Sequence, residues 1–219
     1  MLLLFDIDGT LLLRASDAHR DAVHEALRAV YGIRDPIAAP VEAAGRTDGE
    51  IAREICLLSG VGAERFDDGR DDFRAACVAA YARMCPDDLS AHVAPGIADV
   101  LAALDARDDV QLSLLTGNLE PIARLKLARA GLGRYFPAGQ GGFGSDHEDR
   151  TELPVIARRR AGDHPREDTV IIGDTPRDIA CARADGIRCV AVATGPFAPE
   201  ALAEADVVVR SAHELLDVI

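Results

Sequence analysis

From residue 95 to the end of the chain, short apolar runs alternate with segments of helical periodicity, and this alternation restricts the possible folds more than any other feature. The pattern predicts helices at 97–106, 120–131, 151–161, 176–185 and 211–217, and strands at 110–115, 139–143, 168–172, 187–192 and 206–209. Strands that are joined through helices form parallel sheets with right-handed crossovers. The apolar run at 2–5 has strand length and is assigned to the same sheet. We therefore predict an α/β fold with a Rossmann-like parallel sheet.

Residues 14–91 interrupt this series with a segment that shows only helical texture. Three helices are predicted there, at 16–31, 48–59 and 69–84. Pro36 and Pro40 mark a loop after the first of them. A chain of 219 residues is long enough for one core and a smaller inserted domain. We therefore predict an α/β core domain of residues 1–13 and 92–219, with an all-helical domain of residues 14–91 inserted into it.

Composition argues against several classes of partner. With 24 basic and 37 acidic residues, the net charge of −13 disfavours nucleic acid and anionic membrane surfaces. The longest apolar run, at the N-terminus, is only strand length and has no cleavage-site pattern, so neither a signal peptide nor a membrane span is predicted. Five cysteines without CxxC spacing predict buried free thiols and no zinc site. We expect a soluble, cytoplasmic protein, whose oligomeric state does not follow from the sequence.

Two carboxylates, Asp6 and Asp8, stand where the first apolar run ends. Asp is rare in strands and an unpaired buried carboxylate is strongly disfavoured, so this pair suggests a bound cation or proton chemistry. Gly9 allows a tight turn, in which its amide and that of Thr10 can face an anion. The alternative is a structural strand that is followed by an ordinary Asp-Gly turn.

Two later strands also end in unusual polar groups. Thr116, Gly117 and Asn118 follow the predicted strand at 110–115, and a Gly-Asp-Thr-Pro-Arg-Asp segment with Asp174 and Asp178 follows the one at 168–172. Each could be simple helix capping if taken alone. Because sites in parallel sheets lie at the carboxyl ends of the strands, we expect these groups to lie close to the first pair of carboxylates.

These residues resemble the signatures of the haloacid dehalogenase superfamily of hydrolases, which are DxDx[TV] after the first strand, Thr or Ser after a second, and a later acidic GDxxxD. The resemblance covers nearly the whole chain. It implies that residues 14–91 are the helical cap of the family, inserted after the first motif as in phosphoglycolate phosphatase and β-phosphoglucomutase relatives.

The resemblance also implies a role for each residue. Asp6 would be the nucleophile that forms an aspartyl-phosphate, and Asp8 the general acid and base. Mg²⁺ would be held by the Asp6 carboxylate, the backbone carbonyl of Asp8, Asp174 and Asp178, since this ion prefers oxygen ligands. The implied phosphate-binding groups belong to Gly9, Thr10, Thr116, Gly117 and Asn118.

The positive group of the family is the place where this chain departs from the pattern, because the usual lysine before the acidic motif is missing. Arg150 matches that position, while Lys126 lies ten residues after Thr116, on a helix from which some members supply their lysine. An arginine would clamp a phosphate in a fork geometry, and a lysine would act as a point charge. The alternatives are a solvated helix face for Lys126 and a surface ion pair with Glu148 or Asp149 for Arg150.

Residues 45–48 interrupt the helical texture and resemble the cap loop that reaches into the active site in this family. Arg46 would then contact the anionic end of the substrate. Alternatively, Arg46 is only a loop residue before a helix that Thr47 caps.

The second aspartate of the first motif favours phosphoryl transfer, since the haloalkanoate dehalogenases of this superfamily lack it. Residues 14–91 contain no lysine for a Schiff base, which excludes phosphonoacetaldehyde hydrolysis. We therefore predict a magnesium-dependent phosphatase of a small phosphorylated metabolite. A phosphomutase of the β-phosphoglucomutase type and a non-catalytic phosphate-binding protein of the same fold remain the alternatives.

Overall fold

The computed structural model describes residues 1–34 and 41–219, so the predicted loop with Pro36 and Pro40 lies outside the described residues. Within them, six parallel strands form a sheet in the order β3-β2-β1-β4-β5-β6. The strands are β1 (Leu2–Phe5), β2 (Gln111–Thr116), β3 (Gly142–Phe143), β4 (Thr169–Gly173), β5 (Arg188–Val192) and β6 (Val207–Val209). The predicted α/β fold is confirmed, and the opening strand lies between β2 and β4 in the middle of the sheet.

The helices lie close to their predicted positions, with two differences. They are α1 (Asp17–Tyr31), α2 (Asp48–Leu58), α3 (Ala63–Asp68), α4 (Arg70–Met84), α5 (Ile97–Asp105), α6 (Glu120–Arg129), α7 (Leu153–Arg160), α8 (Pro176–Asp185) and α9 (Leu215–Val218). The short helix α3 was not predicted; Gly69 separates it from α4 and packs so tightly that a Cβ there would lie 2.8 Å from the Tyr31 ring. The helix predicted at 211–217 is shorter, because the Glu214 carboxylate accepts hydrogen bonds from the Arg210 amide and the Ser211 hydroxyl in a turn.

The central strand is buried on both faces. All four residues of β1 have 0% of their surface exposed. Since side chains alternate along a strand, Leu2 and Leu4 pack into one apolar cluster and Leu3 and Phe5 into another on the opposite face. This explains the uninterrupted apolar run of the sequence. It also gives the residues that follow β1 a rigid base.

The helical unit, residues 14–91, stands between β1 and α5. Its described residues contain helices and no strand, and α1 packs along α4. The chain enters and leaves the unit side by side, since the Leu13 amide donates to His92 O at 2.7 Å and the Ala94 amide to Leu11 O at 3.0 Å. The domain boundaries at 13/14 and 91/92 stay a prediction.

The five cysteines are free and buried, as predicted. Burial raises the pKa of the Cys56 thiol to about 11, so this thiol stays protonated and unreactive at neutral pH. Among the helices of residues 1–34 and 41–219, none has the length and apolar character needed to cross a membrane.

Candidate active site

The carboxyl ends of β1, β2 and β4 meet below the helical unit and border a cavity of about 1250 Å³. From the sheet, the cavity is lined by predicted site residues, namely Asp6, Asp8, Gly9, Gly117, Asn118, Arg150 and Asp174. From the helical unit, apolar side chains such as Val23, Ile51 and Ile55 line it. The expected convergence of the strand ends therefore places the polar groups at one wall of this cavity.

Three acidic side chains form a compact cluster at this wall. Asp6, Asp174 and Asp178 are buried, and each offers a carboxylate oxygen that lies within 4.8 Å of those of the other two. The Thr10 hydroxyl donates to Asp174 Oδ1 at 3.0 Å, whereas the buried Asp174 Oδ2 has no hydrogen-bond partner. A buried carboxylate oxygen without a partner, on a side chain that belongs to a cluster of acids, fits a hard divalent cation such as Mg²⁺.

Asp178 also caps a helix, which is the alternative interpretation of this residue. Its Oδ2 accepts from the Thr175 amide at 2.9 Å and from the Thr175 hydroxyl at 2.7 Å, which forms a capping box at the start of α8. Its Oδ1 accepts from Arg150 Nη2 at 2.5 Å. The capping box thus fixes the Asp178 carboxylate, which still offers one oxygen to the acidic cluster.

The acidic cluster is electrostatically strained. Burial, together with the charges of Asp178 and Asp8, raises the pKa of Asp6 to about 7, although Arg150 acts in the opposite direction. Burial and the charges of Asp6 and Asp178 raise the pKa of Asp174 to about 8. In the absence of a cation, these two carboxyls therefore bind protons far above the pH at which an exposed aspartate loses its own.

These pKa shifts predict that Asp174→Asn stabilises the metal-free protein in mild alkali. An aspartate whose pKa is higher in the folded than in the unfolded state adds stability below pH ~4, and loses it as the pH rises through about 8. Asparagine carries no charge at either pH. In EDTA at pH 8.5 we expect the variant to melt several degrees above the wild type, since ~1 kcal/mol moves Tm by ~2–4 °C.

The advantage of Asp174→Asn should shrink at pH 6, where the wild-type carboxyl is protonated. Thermal melts by circular dichroism at both pH values measure it, with the exposed Asp99→Asn as the control. Equal melting temperatures of Asp174→Asn and wild type at pH 8.5 would contradict the strained cluster.

Asp8 lies beside the acidic cluster in a different environment. Its side chain is 30% exposed and accepts hydrogen bonds from Lys126 Nζ at 2.8 and 2.6 Å and from Asn118 Nδ2 at 2.9 Å. Burial alone would raise the pKa of Asp8, but the charge and hydrogen bonds of Lys126 hold it below the ordinary value. Asp6 and Asp8, one residue apart, thus have pKa values shifted in opposite directions.

The two candidate basic residues, Lys126 and Arg150, both reach the site, and they bind different aspartates. Lys126 is 0% exposed and pairs with Asp8, so it does not lie on a solvated helix face. Arg150 is 5% exposed and pairs with Asp6 at 3.1 Å and with Asp178. The surface ion pair suggested for Arg150 is not formed, because the Glu148 carboxylate binds Arg53 of the helical unit instead.

This arrangement matches a known family. The sequence profile of the haloacid dehalogenase-like hydrolases matches residues 3–183. The chain belongs to this family. It is 30% identical over 208 residues to phosphoglycolate phosphatase 1 of Pseudomonas aeruginosa, covering 91% of this chain and 74% of that protein. The predictions of the family and of a phosphatase enzyme are confirmed.

Two solved structures share the fold of this chain. A hydrolase from Pseudomonas syringae has a TM-score of 0.68 at 20% identity, with 100% of this chain and 97% of that chain covered. A putative β-phosphoglucomutase from Bacteroides vulgatus has a TM-score of 0.67 at 21% identity, with 99% and 86% covered. A cap is typical of this family, and we call the helical unit the cap from here on.

The backbone at Gly9 and Gly195 lies very close to the Asp174 carboxylate of this haloacid dehalogenase-like site. Gly9 has φ +95°, and a Cβ there would lie 2.1 Å from Asp174 Oδ2. Gly195, which was not predicted, is equally tight, with a Cβ position 1.7 Å from the same oxygen, and the neighbouring Thr194 hydroxyl donates to Gly9 O at 2.8 Å. Its signal in the sequence was a Gly-Pro pair shortly after the strand at 187–192. A side chain at either glycine would occupy the space that the Asp174 carboxylate now fills.

The predicted phosphate-binding residues lie around Asp8. The amides of Gly9 and Thr10 donate to Leu12 O at 2.8 Å and Ile7 O at 3.3 Å, so the turn already uses them. At the end of β2, the buried Thr116 hydroxyl accepts from the Asn118 amide at 3.3 Å. A phosphate-binding role for these residues, and for Gly117 between the last two, stays a prediction.

The cap loop places Arg46 at the cavity but pairs its guanidinium within the cap. Arg46 Nε lies 2.8 Å from Glu50, and Nη1 donates to Glu54. The Thr47 hydroxyl accepts from the Glu50 amide at 3.1 Å, which is the capping role given as the alternative, and donates to Glu148 O at 2.6 Å. Contact between Arg46 and a substrate stays a prediction.

Two polar residues of the cap that were not predicted, His19 and Asp48, reach the core. His19 lies on the buried face of α1 with Ala22 and Val23, where its spacing indicated a core position. Asp48 begins α2 directly after the capping Thr47. Both are buried, and both belong to one chain of hydrogen bonds that ends on Asp8.

Proposed function

We propose that this protein is a magnesium-dependent phosphatase of a small phosphate monoester that acts through an aspartyl-phosphate on Asp6. The observation that carries the proposal is the cluster of Asp6, Asp174 and Asp178, with the unpartnered oxygen of Asp174, next to the separately paired Asp8. Catalytic phosphoryl transfer needs a nucleophile, a neighbouring proton donor and positive charge at one place. Asp6, Asp8 and the basic side chains paired with them would supply these three.

Mg²⁺ would be held by the carboxylates of Asp6, Asp174 and Asp178 and by the backbone carbonyl of Asp8. When bound, it would supply positive charge to the phosphoryl oxygens. Four carboxylates against the charges of Lys126 and Arg150 leave the site two negative charges in excess, which a divalent cation balances. The raised pKa values of Asp6 and Asp174 also favour a bound cation, because a positive charge there would stabilise the ionised carboxylates.

The remaining steps of the reaction are assigned to side chains of the protein. The Asp6 carboxylate attacks the phosphorus atom, and Arg150 keeps that carboxylate oriented. In its protonated form the Asp8 carboxyl gives its proton to the leaving alcohol as the ester P–O bond breaks, and the resulting carboxylate takes a proton from the water that attacks the aspartyl-phosphate. Lys126 and Asn118 hold the Asp8 carboxylate from one side, which leaves its exposed part turned to the cavity. Thr116 and the loop after it bind the phosphoryl oxygens.

The substrate is proposed to be a small phosphorylated metabolite, with phosphoglycolate as the first compound to test. The relative from Pseudomonas aeruginosa is named a phosphoglycolate phosphatase, which supports this choice. We further propose that the protein acts in the cytoplasm. The apolar cap side chains Val23, Ile51 and Ile55 would exclude water from the bound ester.

The test is phosphate release from a panel of esters, including 2-phosphoglycolate, sugar phosphates, nucleoside monophosphates and 4-nitrophenyl phosphate. We expect release of inorganic phosphate with Mg²⁺, its loss with EDTA and its return when Mg²⁺ is restored. Phosphate release that is unaffected by EDTA would overturn the metal dependence. Isomerisation of a sugar phosphate without net release would instead identify a mutase, and binding without turnover would identify a non-catalytic protein.

A further inference from the structure

A buried chain of four polar side chains runs from the cap to Asp8. Asp48 Oδ2 lies 3.1 Å from His19 Nε2, and His19 Nδ1 lies 3.1 Å from Lys126 Nζ. Lys126 Nζ in turn donates to both oxygens of Asp8. Asp48, His19 and Lys126 are 3%, 7% and 0% exposed, so none of these contacts is a solvated surface pair.

We propose that His19 and Asp48 are positioning residues of the cap, which fix the Lys126 ammonium and through it the carboxylate of Asp8. This inference rests on the proposed function, in which Asp8 protonates the leaving alcohol. It assigns a catalytic contribution to two cap residues that do not touch the reacting atoms.

The hydrogen-bond donors and acceptors of the chain allow one consistent arrangement. The ammonium group of Lys126 can only donate, so His19 Nδ1 must accept, and Nε2–H then donates to Asp48. Lys126 has three donor hydrogens and three acceptors, which are the two oxygens of Asp8 and His19 Nδ1. Asp48 thereby holds the ring in the tautomer that Lys126 needs. A buried ammonium that loses one of its acceptors is strongly destabilised where it lies and moves to find another.

Asp48 is itself fixed by the core. Its Oδ2 also accepts from the Leu119 amide at 2.8 Å, and its own amide donates to Gly117 O at 2.9 Å. These two backbone groups belong to the loop after β2, which includes the predicted phosphate-binding residues. The first residue of α2 is therefore bound to the same loop that borders Asp8.

The chain of hydrogen bonds passes from the cap to the core at the contact between His19 and Lys126. His19 on α1 and Asp48 on α2 belong to the cap, whereas Lys126 on α6 and Asp8 belong to the core. Lys126 therefore has its full set of acceptors only while the cap lies on the core. The Tyr81 ring of α4 packs edge-on against His19, with 5.5 Å between the ring centroids, and limits rotation of the imidazole.

A second cap–core contact provides a matched control. Arg53 of α2 binds the Glu148 carboxylate, with Nη2 at 2.8 Å from Oε2, and neither side chain contacts Lys126 or Asp8. Glu148→Gln weakens the attachment of the cap without altering the buried chain. Any effect that His19 variants share with Glu148→Gln therefore reflects cap attachment alone.

The kinetic test compares esters whose leaving groups differ in their need for a proton. Misplacement of Asp8 should slow an alkyl phosphate such as 2-phosphoglycolate, whose alkoxide must be protonated, and spare 4-nitrophenyl phosphate, whose phenolate leaves unaided. For His19→Leu and Asp48→Ala we expect kcat/KM on the alkyl ester, which reports formation of the aspartyl-phosphate, to fall ~10²-fold, within the usual range for general acid catalysis. On the aryl ester kcat/KM should fall less than about fivefold, because its leaving group needs no proton.

His19→Gln should recover much of the lost rate, because an amide accepts a hydrogen bond with its oxygen and donates one with its nitrogen. Glu148→Gln should change both esters in equal proportion. An equal loss of kcat/KM on both esters in the His19 and Asp48 variants, or no loss on either, would overturn the inference. If the wild type hydrolyses neither ester, the proposed function fails instead, and the two failures are distinguishable.

A readout that needs no turnover uses the fact that Lys126 is the sole lysine of the sequence. Reaction with an amine-specific reagent, followed by mass spectrometry of the peptide, reports the accessibility of this one side chain. We expect slow modification in the wild type and in Glu148→Gln, and at least ~10-fold faster modification in His19→Leu and Asp48→Ala, because the buried ammonium loses a hydrogen-bond acceptor or the group that orients it. Unchanged protection in folded His19→Leu and Asp48→Ala would contradict the inference whatever the kinetics show.

Discussion

Asp6→Asn is expected to abolish turnover, with a loss of roughly four orders of magnitude or more in kcat, as found when a nucleophile is removed from a catalytic unit. The amide that replaces the carboxylate cannot attack phosphorus and brings no negative charge to the cation site. Stability should be retained, since Asp6 is buried with a raised pKa and Asn has the same shape. The measurement is phosphate release with Mg²⁺, alongside a thermal melt.

Asp99→Asn is the matched control, because Asp99 is an exposed aspartate of α5 far along the chain from the site. Acid quenching of the wild type during turnover should leave a phosphoryl group on the peptide that contains Asp6, and no such adduct should form in Asp6→Asn. Turnover that survives in the variant would show that another group attacks the phosphate. The aspartyl-phosphate hypothesis would then be wrong.

Arg150→Met is expected to damage both stability and activity. Arg150 lies between Asp6 and Asp178, and the charges of these two acids hold its own pKa above the ordinary value against the effect of burial. Removing one partner of a buried ion pair destabilises a protein by ~3–5 kcal/mol, because the remaining charges are left unpaired. We also expect kcat to fall at least ~100-fold, as after loss of an electrostatic stabiliser.

The loss of stability in Arg150→Met should be larger at pH 8.5 than at pH 6, since loss of the Arg150 charge raises the pKa of Asp6 above its wild-type value of about 7, and the variant then keeps losing stability above pH 7 where the wild type does not. Arg150→Lys should recover part of both properties, as a lysine restores the charge but not the fork geometry. The exposed Arg159→Met on α7 serves as the control. A variant Arg150→Met that melts and turns over like the wild type would contradict the assignment of this guanidinium to the site.

The positions of the strands and of the acids could be predicted because local signals determine them. An apolar run buried on both faces, followed by Asp and Gly, identifies β1 and the turn after it, and the same logic applies to Asp174 after β4. The alternation of elements then fixes which strand ends meet. The helix α3 escaped prediction because six residues between two glycines contain too little periodicity.

The partners of the acids could not be predicted, because they depend on packing between distant segments. Sequence distance left Lys126 and Arg150 as alternatives for one role, whereas the fold gives each its own acid, Asp8 or Asp6. His19 was hidden for a related reason, since a histidine on an apolar helix face most often belongs to the core. Only the approach of the cap to α6 shows that its imidazole contacts Lys126.

The paired backbone crossings at Leu13 and His92 have a consequence for how such a protein diversifies. Because the two crossings are hydrogen-bonded side by side, the whole segment between them can be replaced by another without moving either neighbouring part of the core. Recombination of genes could therefore exchange one cap for another while the acids at the sheet are preserved. The residues that such an exchange must carry with it are His19 and Asp48, so a transplanted cap that lacks them would fold in place and leave Lys126 without its third acceptor.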